Sequence, residues 1–247
     1  MLFLLVTLMC AVTSCWAGKP IAYSEMTKEA RNFIEQNFPD AKVAFVESYF
    51  GIFGSSYEVN FNTGDEVKIT SAGEWKEIGT SVPHLAKEYF LVTGSGKFFR
   101  NVIIKPEDSM CMIELDEKGE NYRIVWGLVN GGRPTSELPS HLMNHEVKML
   151  ATEGKHRVIY HAHTTNVIAL TFVLPLTDEV FTRELWEMAT ECPVVFPQGI
   201  GVVPWMVPGG RDIAVATSEL MKQYDVAIWA HHGMFAAGED FDLTFGL

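Results

Sequence analysis

The pattern of apolar residues changes at Val82-Pro83, and this change most constrains how the 247-residue chain can fold. After it, short apolar runs alternate with helical stretches; residues 123–129 read as a strand and 138–152 as a helix. Alternation at this spacing predicts a layered α/β fold. Before it, an amphipathic helix over residues 24–38 precedes several short alternating strands, which predicts a small α+β unit.

The composition limits what the chain can bind. Its formal net charge of −12 lacks the basic balance that nucleic-acid binding requires. A phosphorylated small molecule is compatible with this charge, because backbone N–H groups and a metal ion bind phosphate locally. None of the four cysteines forms a C-x-x-C pair, so neither a thiolate metal site nor a redox motif is indicated.

Residues 1–17 resemble a secretory signal peptide. The segment Leu2–Val12 is apolar except for Thr7 and is too short to span a membrane, and Ala17 is a small residue suited to cleavage. The string VTSC also resembles a lipoprotein signal that would be modified at Cys15. A buried N-terminal helix or strand stays open as an alternative, since no Lys or Arg precedes position 19.

Residues 18–82 form the predicted α+β unit. The strings FPDAKVAFVE (38–47) and YEVNFNTGDEVKITSAGEWKEI (57–78) resemble the PepSY-like domains of secreted bacterial proteins. The resemblance covers most of the unit and implies a binding module without a catalytic constellation. Its acidic residues fit a solvated strand face: Glu47, Glu58 and Glu66.

Histidines at the ends of two predicted strands are the candidate metal ligands. His161 and His163 flank one small residue on a strand, so both imidazoles project to the same face. His231 and His232 follow the apolar strand 226–230. A third imidazole from there would make a three-histidine zinc site with open positions, whereas hydrogen-bonded core histidines are the alternative on spacing alone.

The order of motifs from about His84 onward resembles that of the class II, zinc-dependent sugar-phosphate aldolases, closest to the rhamnulose-1-phosphate aldolases. The H-x-H strand and the string WAHHGMF (229–235) carry the resemblance. It implies a layered α/β domain over residues 84–247 and zinc as the cofactor. The implied zinc ligands are His161, His163 and His232, with His231 as a neighbour.

The resemblance also implies two catalytic carboxylates. The string PTSELPSH (134–141) matches the segment of the family's catalytic glutamate, which makes Glu137 the acid/base. By position alone, Glu137 would be a glutamate stabilised by a helix dipole. The string WEMATECPVVFP (186–197) matches a second glutamate, here Glu191, which reaches the site of an adjacent subunit and handles the aldehyde. Its alternative is an ordinary helix-terminal carboxylate.

A Gly-Ser-Gly turn in the string VTGSGKFFRN (92–101) can present N–H groups and a hydroxyl to an anion. In the family, this segment and the start of the following helix bind the substrate phosphate. The residues implied as phosphate contacts are Ser95, Gly96, Thr135 and Ser136.

The implied reaction is cleavage of L-rhamnulose 1-phosphate to dihydroxyacetone phosphate and L-lactaldehyde. Zinc would act as a Lewis acid while the C3–C4 bond breaks, and Glu137 would move the proton. Such an enzyme is cytoplasmic and homo-oligomeric, a tetramer in the family, without a nucleic-acid partner or a membrane span. The signal-like segment would instead imply export to the periplasm or cell envelope.

The resemblance begins inside the family domain and stops short of its closing helices, so we expect a domain incomplete at both ends. Residues 1–83 contain no counterpart of the family's Asn-Gly-Gly-Asn-type phosphate loop. We therefore expect two gene fragments joined near Pro83, with a separate hydrophobic core on each side and little or no aldolase activity. The alternative function is a secreted, non-enzymatic PepSY-like binding module fused to an inactive aldolase fragment.

Overall fold

The computed structural model describes residues 18–51, 54–70 and 75–247. The predicted signal peptide over residues 1–17 lies outside this part of the chain. Among the helices of the described ranges, none combines the length and the apolar character that a membrane span requires.

The chain divides into two compact units, each assembled from separate segments. The first runs through Lys76 and adds residues 87–116 and 121–135, and the second comprises residues 77–86, 117–120 and 136–247. Each unit therefore contains residues from both sides of Pro83, whereas the sequence predicted one domain on each side of it.

The first unit begins with an antiparallel sheet and one helix. Four strands pair in chain order: β1 (Lys19–Ile21), β2 (Val43–Gly51), β3 (Gly54–Phe61) and β4 (Glu66–Thr70). Helix α1 (Lys28–Asn37) begins at Thr27, whose hydroxyl accepts a hydrogen bond from the Ala30 N–H at 3.3 Å. The predicted helix and antiparallel strands are present, and β1 is an additional strand before the helix.

A second antiparallel sheet of the first unit joins β6 (Tyr89–Thr93), β7 (Met110–Leu115) and β8 (Asn121–Gly127) in that order. The short strand β5 (Lys76–Glu77) precedes it in the chain. Helix α2 (Pro106–Ser109) and the 3-10 turns Tyr23–Glu25, Pro83–Leu85 and Phe99–Asn101 complete the elements before residue 136.

The expectation of a separate hydrophobic core on each side of Pro83 is wrong. Val125 of β8 lies in the same buried cluster as Phe33 of α1 and Val59 of β3, and Met112 and Trp126 pack against that cluster. One helix on a small sheet buries little apolar surface, so later strands complete its core.

The second unit is built on a mixed sheet in the order β10-β11-β12-β9, formed by β9 (Val158–Ala162), β10 (Gly201–Val203), β11 (Val226–Trp229) and β12 (Gly233–Gly238). Strands β10 and β11 pair in parallel, and the other two pairings are antiparallel. The helices of this unit are α3 (Leu138–Ala151), α4 (Thr165–Leu170), α5 (Asp178–Met188), α6 (Cys192–Val195), α7 (Arg211–Met221) and α8 (Phe241–Gly246).

Both faces of this mixed sheet are buried. Along β11, Ala227 and Trp229 belong to one buried cluster, and Val226 and Ile228 belong to another. Alternate residues of a strand face opposite sides, so the two clusters lie on the two faces of the sheet. A sheet buried on both faces explains the continuous apolar run 226–230, and this layered arrangement is the predicted α/β class.

Candidate metal centre and acid/base site

The three histidines named from the sequence lie together at one end of the mixed sheet. His161 is on β9, His163 directly follows that strand, and His232 is in the tight turn between β11 and β12. One ring nitrogen of each lies within 4.8 Å of the others, and the Nε2 atoms of His163 and His232 are 3.0 Å apart. Nitrogens about 2 Å from a tetrahedral zinc ion would be roughly 3.3 Å from one another, so the spacing suits such an ion.

The hydrogen bonding of His161 leaves one nitrogen available. Its Nδ1 lies 2.9 Å from the carbonyl oxygen of Met234, which assigns the proton to Nδ1 and the lone pair to Nε2. The Nε2 atom is buried and has no hydrogen-bond partner among the described residues. A buried acceptor without a partner costs free energy, and a metal ion would satisfy it. These residues therefore fit a metal ion.

Burial favours the uncharged form of two of these imidazoles, those of His161 and His232. It lowers the pKa of His161 to about 3, with a further contribution from the neighbouring His141. Burial and the adjacent His163 also lower the pKa of His232. Neutral imidazole is the form that binds a metal, so the lowered pKa values of His161 and His232 favour metal binding.

Glu137 lies at the start of α3, but its carboxylate does not cap that helix. Its Oε2 accepts a hydrogen bond of 3.0 Å from the backbone N–H of Gly209, and the side chain is buried. Gly209 has a φ of +77°, a left-handed conformation that residues with a side chain rarely adopt. This contact with a residue distant in sequence does not fit the interpretation that Glu137 only stabilises the dipole of its own helix.

The environment of Glu137 favours a proton carrier. Burial raises the pKa of its carboxyl group, while the Gly209 N–H and the nearby His163 partly offset this effect. A raised pKa makes the protonated form of the carboxyl group easier to reach, which is the direction that general acid/base chemistry requires.

Glu191 lies elsewhere on the second unit. It is exposed at the start of α6, and its Oε2 accepts a hydrogen bond of 3.2 Å from Thr190. No described contact joins it to the histidine cluster. Its catalytic role, which the resemblance places across a subunit contact, stays a prediction.

The Gly-Ser-Gly turn belongs to the first unit. The Ser95 N–H donates to the carbonyl of Arg133 at 2.9 Å, and the Thr135 N–H donates to the carbonyl of Thr93 at 2.8 Å. These bonds bring Ser95 and Thr135 onto neighbouring segments and use both N–H groups. Ser95 therefore has its hydroxyl, rather than its N–H, to offer an anion.

The other two predicted phosphate contacts are exposed. Gly96 has a φ of +71°, which suits the tight turn, and Ser136 is the first residue of the second unit's main segment. Three further groups near the site were not predicted from the sequence: the Gly209 N–H, the Met234 carbonyl and Thr171. Two of them are backbone groups, whose contacts cannot be predicted from side-chain types. In the sequence, only the Gly209-Gly210 pair before α7 indicated a backbone segment with unusual freedom.

Comparison with known proteins shows the family of this chain. Residues 76–247 match the model of the Class II Aldolase and Adducin N-terminal domain. Rhamnulose-1-phosphate aldolase of Mannheimia succiniciproducens is 58% identical over 171 residues, which cover 69% of this chain and 63% of that relative. Rhamnulose-1-phosphate aldolase of Listeria innocua is 46% identical over 189 residues, 74% of this chain and 69% of that relative. The chain thus spans less than two thirds of the Mannheimia relative.

Among solved structures, the crystal structure of a sugar-phosphate aldolase from Thermotoga maritima has a similar fold. It aligns with a TM-score of 0.56 at 21% identity, over 96% of this chain and 83% of that one. At this identity the likeness concerns the fold alone, and its coverage extends well before Pro83. With the family match over residues 76–247, the conclusion is that the chain belongs to the class II aldolase and adducin family.

Proposed function

We propose that this protein is a zinc-dependent aldolase that cleaves L-rhamnulose 1-phosphate to dihydroxyacetone phosphate and L-lactaldehyde. The observation that carries the proposal is the convergence of three imidazole nitrogens within 4.8 Å, one of them buried without a partner. Relatives at 46–58% identity that are named rhamnulose-1-phosphate aldolase support the choice of substrate. A cytoplasmic location follows from such a substrate, which is made and kept inside the cell.

His161, His163 and His232 would hold the ion. A bound zinc ion supplies Lewis-acid stabilisation of the negative charge that develops as the C3–C4 bond breaks. The residues around it set its geometry: the Met234 carbonyl fixes the His161 ring by accepting its Nδ1–H at 2.9 Å. A fixed ring directs its Nε2 lone pair to one point, which is what a shared ion needs.

Glu137 moves the proton. In the cleavage direction Glu191 of the adjacent subunit accepts the C4 hydroxyl proton as the C3–C4 bond breaks, and the protonated carboxyl of Glu137 delivers a proton to C3. The two carboxyl groups regain their starting forms by proton exchange with solvent, and in the reverse direction both transfers run the other way. The Gly209 N–H holds the carboxylate in place at 3.0 Å, and the electrostatic effect of His163 on its pKa indicates that it lies near the metal ligands. A positioned carboxylate of this kind contributes roughly 10²–10⁴-fold to a rate.

Ser95, Gly96, Thr135 and Ser136 would bind the phosphate, and Glu191 would act on the aldehyde of an adjacent subunit in a homo-oligomer. The exposure of Gly96, Ser136 and Glu191 is compatible with these roles. The PepSY-like character of residues 20–82 stays a prediction, and no contact among the described residues of that segment favours the binding-module alternative.

The test measures zinc-dependent release of dihydroxyacetone phosphate, coupled to a dehydrogenase. In a chimera, the 171-residue segment of the Mannheimia relative that matches this chain is replaced by the corresponding residues of this chain. The site residues are then tested within the full length of that relative. We expect this chimera to cleave L-rhamnulose 1-phosphate when zinc is present.

Glu137→Gln in the chimera is the catalytic test. The amide keeps the shape of the carboxyl group but cannot carry the proton, so the rate should fall by about 10²–10⁴-fold while zinc stays bound. A folded, zinc-loaded chimera without any cleavage would refute the proposed reaction. An unaffected Glu137→Gln variant would refute the role of Glu137 instead.

A further inference from the structure

The turn that carries His232 has an unusual backbone conformation. Trp229 and Gly233 are paired across the β11–β12 hairpin, and the His232 N–H donates to the Trp229 carbonyl at 3.1 Å. Between them, His231 has a φ of +61°. This left-handed conformation is uncommon for a residue with a side chain and persists where the surroundings enforce it.

Thr171 is hydrogen-bonded directly to His231. This residue directly follows α4 and is 3% exposed. Its hydroxyl donates to the Ile168 carbonyl at 2.6 Å and accepts the His231 N–H at 3.0 Å. The His231 Nδ1 lies 3.2 Å from the same hydroxyl oxygen. Thr171 thus ties the backbone of the turn to the end of α4.

A ring contact adds to this restraint. The centroids of the Phe172 and His231 rings are 4.1 Å apart, although both residues are exposed. The side chain of His231 therefore packs against the two residues that follow α4 and is not part of the His161–His163–His232 cluster. This explains why, of two adjacent histidines, only His232 has a nitrogen in the cluster.

The conformation of His231 decides where the His232 ring lies, because it sets the direction of the next residue. The His232 Nε2 is 3.0 Å from that of His163, and a metal site tolerates errors of only about 0.5 Å in such positions. We propose that Thr171, acting through the backbone of His231, is a positioning residue that holds His232 in its metal-binding orientation. The inference rests on the zinc site proposed above.

The experiment measures the zinc dissociation constant of the full 247-residue chain by competition with a chromophoric chelator, together with the melting temperature of the zinc-free protein. Thr171→Val removes the hydroxyl and keeps the shape. We expect it to weaken zinc binding by about 10–100-fold, as loss of the outer partner of a metal ligand does. Thr171→Ser retains the hydroxyl and should bind zinc like the wild type.

The chain offers a matched control in Thr152. Its hydroxyl donates to the Lys148 carbonyl at 2.6 Å and accepts the His156 N–H at 3.0 Å, the same pattern at the other end of β9. Thr152→Val should therefore leave zinc affinity unchanged. An equal loss of affinity in Thr152→Val would show that any such deletion softens the unit, and would overturn the inference.

A second pair of variants tests the backbone at the exposed position 231. Asn tolerates a positive φ and keeps the N–H, so His231→Asn should bind zinc like the wild type. Val disfavours that conformation, so His231→Val should resemble Thr171→Val. Wild-type affinity in both Val variants would overturn the positioning role and leave the zinc site standing. Failure of the unaltered chain to bind zinc would refute the site itself and this inference with it.

Discussion

The two ends of the mixed sheet carry polar clusters of opposite kinds. At the end where β9 and β11 begin, Lys148 donates to Asp225 at 2.5 Å, and Gln198 donates to the other carboxylate oxygen at 3.3 Å. At the end where these strands finish, the His161 Nε2 is buried without a described partner, and two other imidazoles point at each other.

The difference separates a stabilising cluster from a binding cluster. Lys148 is 3% exposed and has the opposite charge of Asp225 as its partner, so the buried charge of the first end is paired, although the buried Nδ1 of His156 there has no hydrogen bond. The second end directs several lone pairs to one place and holds a strained turn, features that lower stability unless a ligand uses them. Polar groups that satisfy one another thus indicate structure, and convergent unsatisfied groups indicate function.

The largest expected effect comes from removing one histidine at each end of the mixed sheet: His163 in the metal cluster and His156 beside Asp225. His163→Ala should weaken zinc binding well beyond the roughly 10–100-fold cost of losing an outer partner, because a direct ligand is lost. His156→Ala, at the Asp225 end, should leave zinc affinity unchanged. Calorimetric titration of both variants with zinc measures the effect, and equal affinities would remove the distinction between the two ends.

The reverse experiment removes the charge pair. Lys148→Met leaves the Asp225 carboxylate without its partner, so the free energy of unfolding should fall by about 3 kcal/mol, near the lower limit for a broken buried pair because Asp225 is partly exposed. Zinc affinity should not change. Urea unfolding of the zinc-free protein gives the value.

Asp225→Asn in the Lys148→Met background is the control for that variant. A neutral amide is less costly to bury than a lone carboxylate, so part of the lost stability should return. A Lys148→Met variant as stable as the wild type would show that the pair is not a stabilising cluster.

The smallest expected effect is one of pH. Burial lowers the pKa of His145 on α3 to about 4, against about 6.5 for an exposed histidine. Between these values the unfolded chain binds a proton that the folded chain does not, so stability is lost as pH falls below about 6.5. From pH 7.5 to 5.5, the zinc-free wild type should lose about 1 kcal/mol more than His145→Asn, which has no group to titrate.

Urea unfolding at the two pH values provides this comparison. Parallel losses in the wild type and in His145→Asn would mean that His145 titrates alike in the folded and unfolded states. His145 would then contribute nothing to the pH dependence of the unit's stability.

Local patterns in the sequence determined the elements and the candidate residues. Alternation of strands and helices predicted the α/β layers. The H-x-H spacing predicted that the His161 and His163 rings share a face, and both rings belong to the cluster whose nitrogens lie within 4.8 Å of one another. The string around Glu137 marked a glutamate at a helix start. Such features follow from the 2.0 and 3.6 residue periods and from the chemistry of each side chain.

Tertiary structure alone decided which surfaces meet. Apolar patterns indicated that α1 has a buried face, but not that Val125 of β8 completes its core. The contacts of His161 with Met234, of Glu137 with Gly209 and of Thr171 with His231 join residues 60 to 73 positions apart. A short segment specifies which of its faces avoids water, whereas its partner, and the strain a turn can hold, depend on the packing of the whole unit.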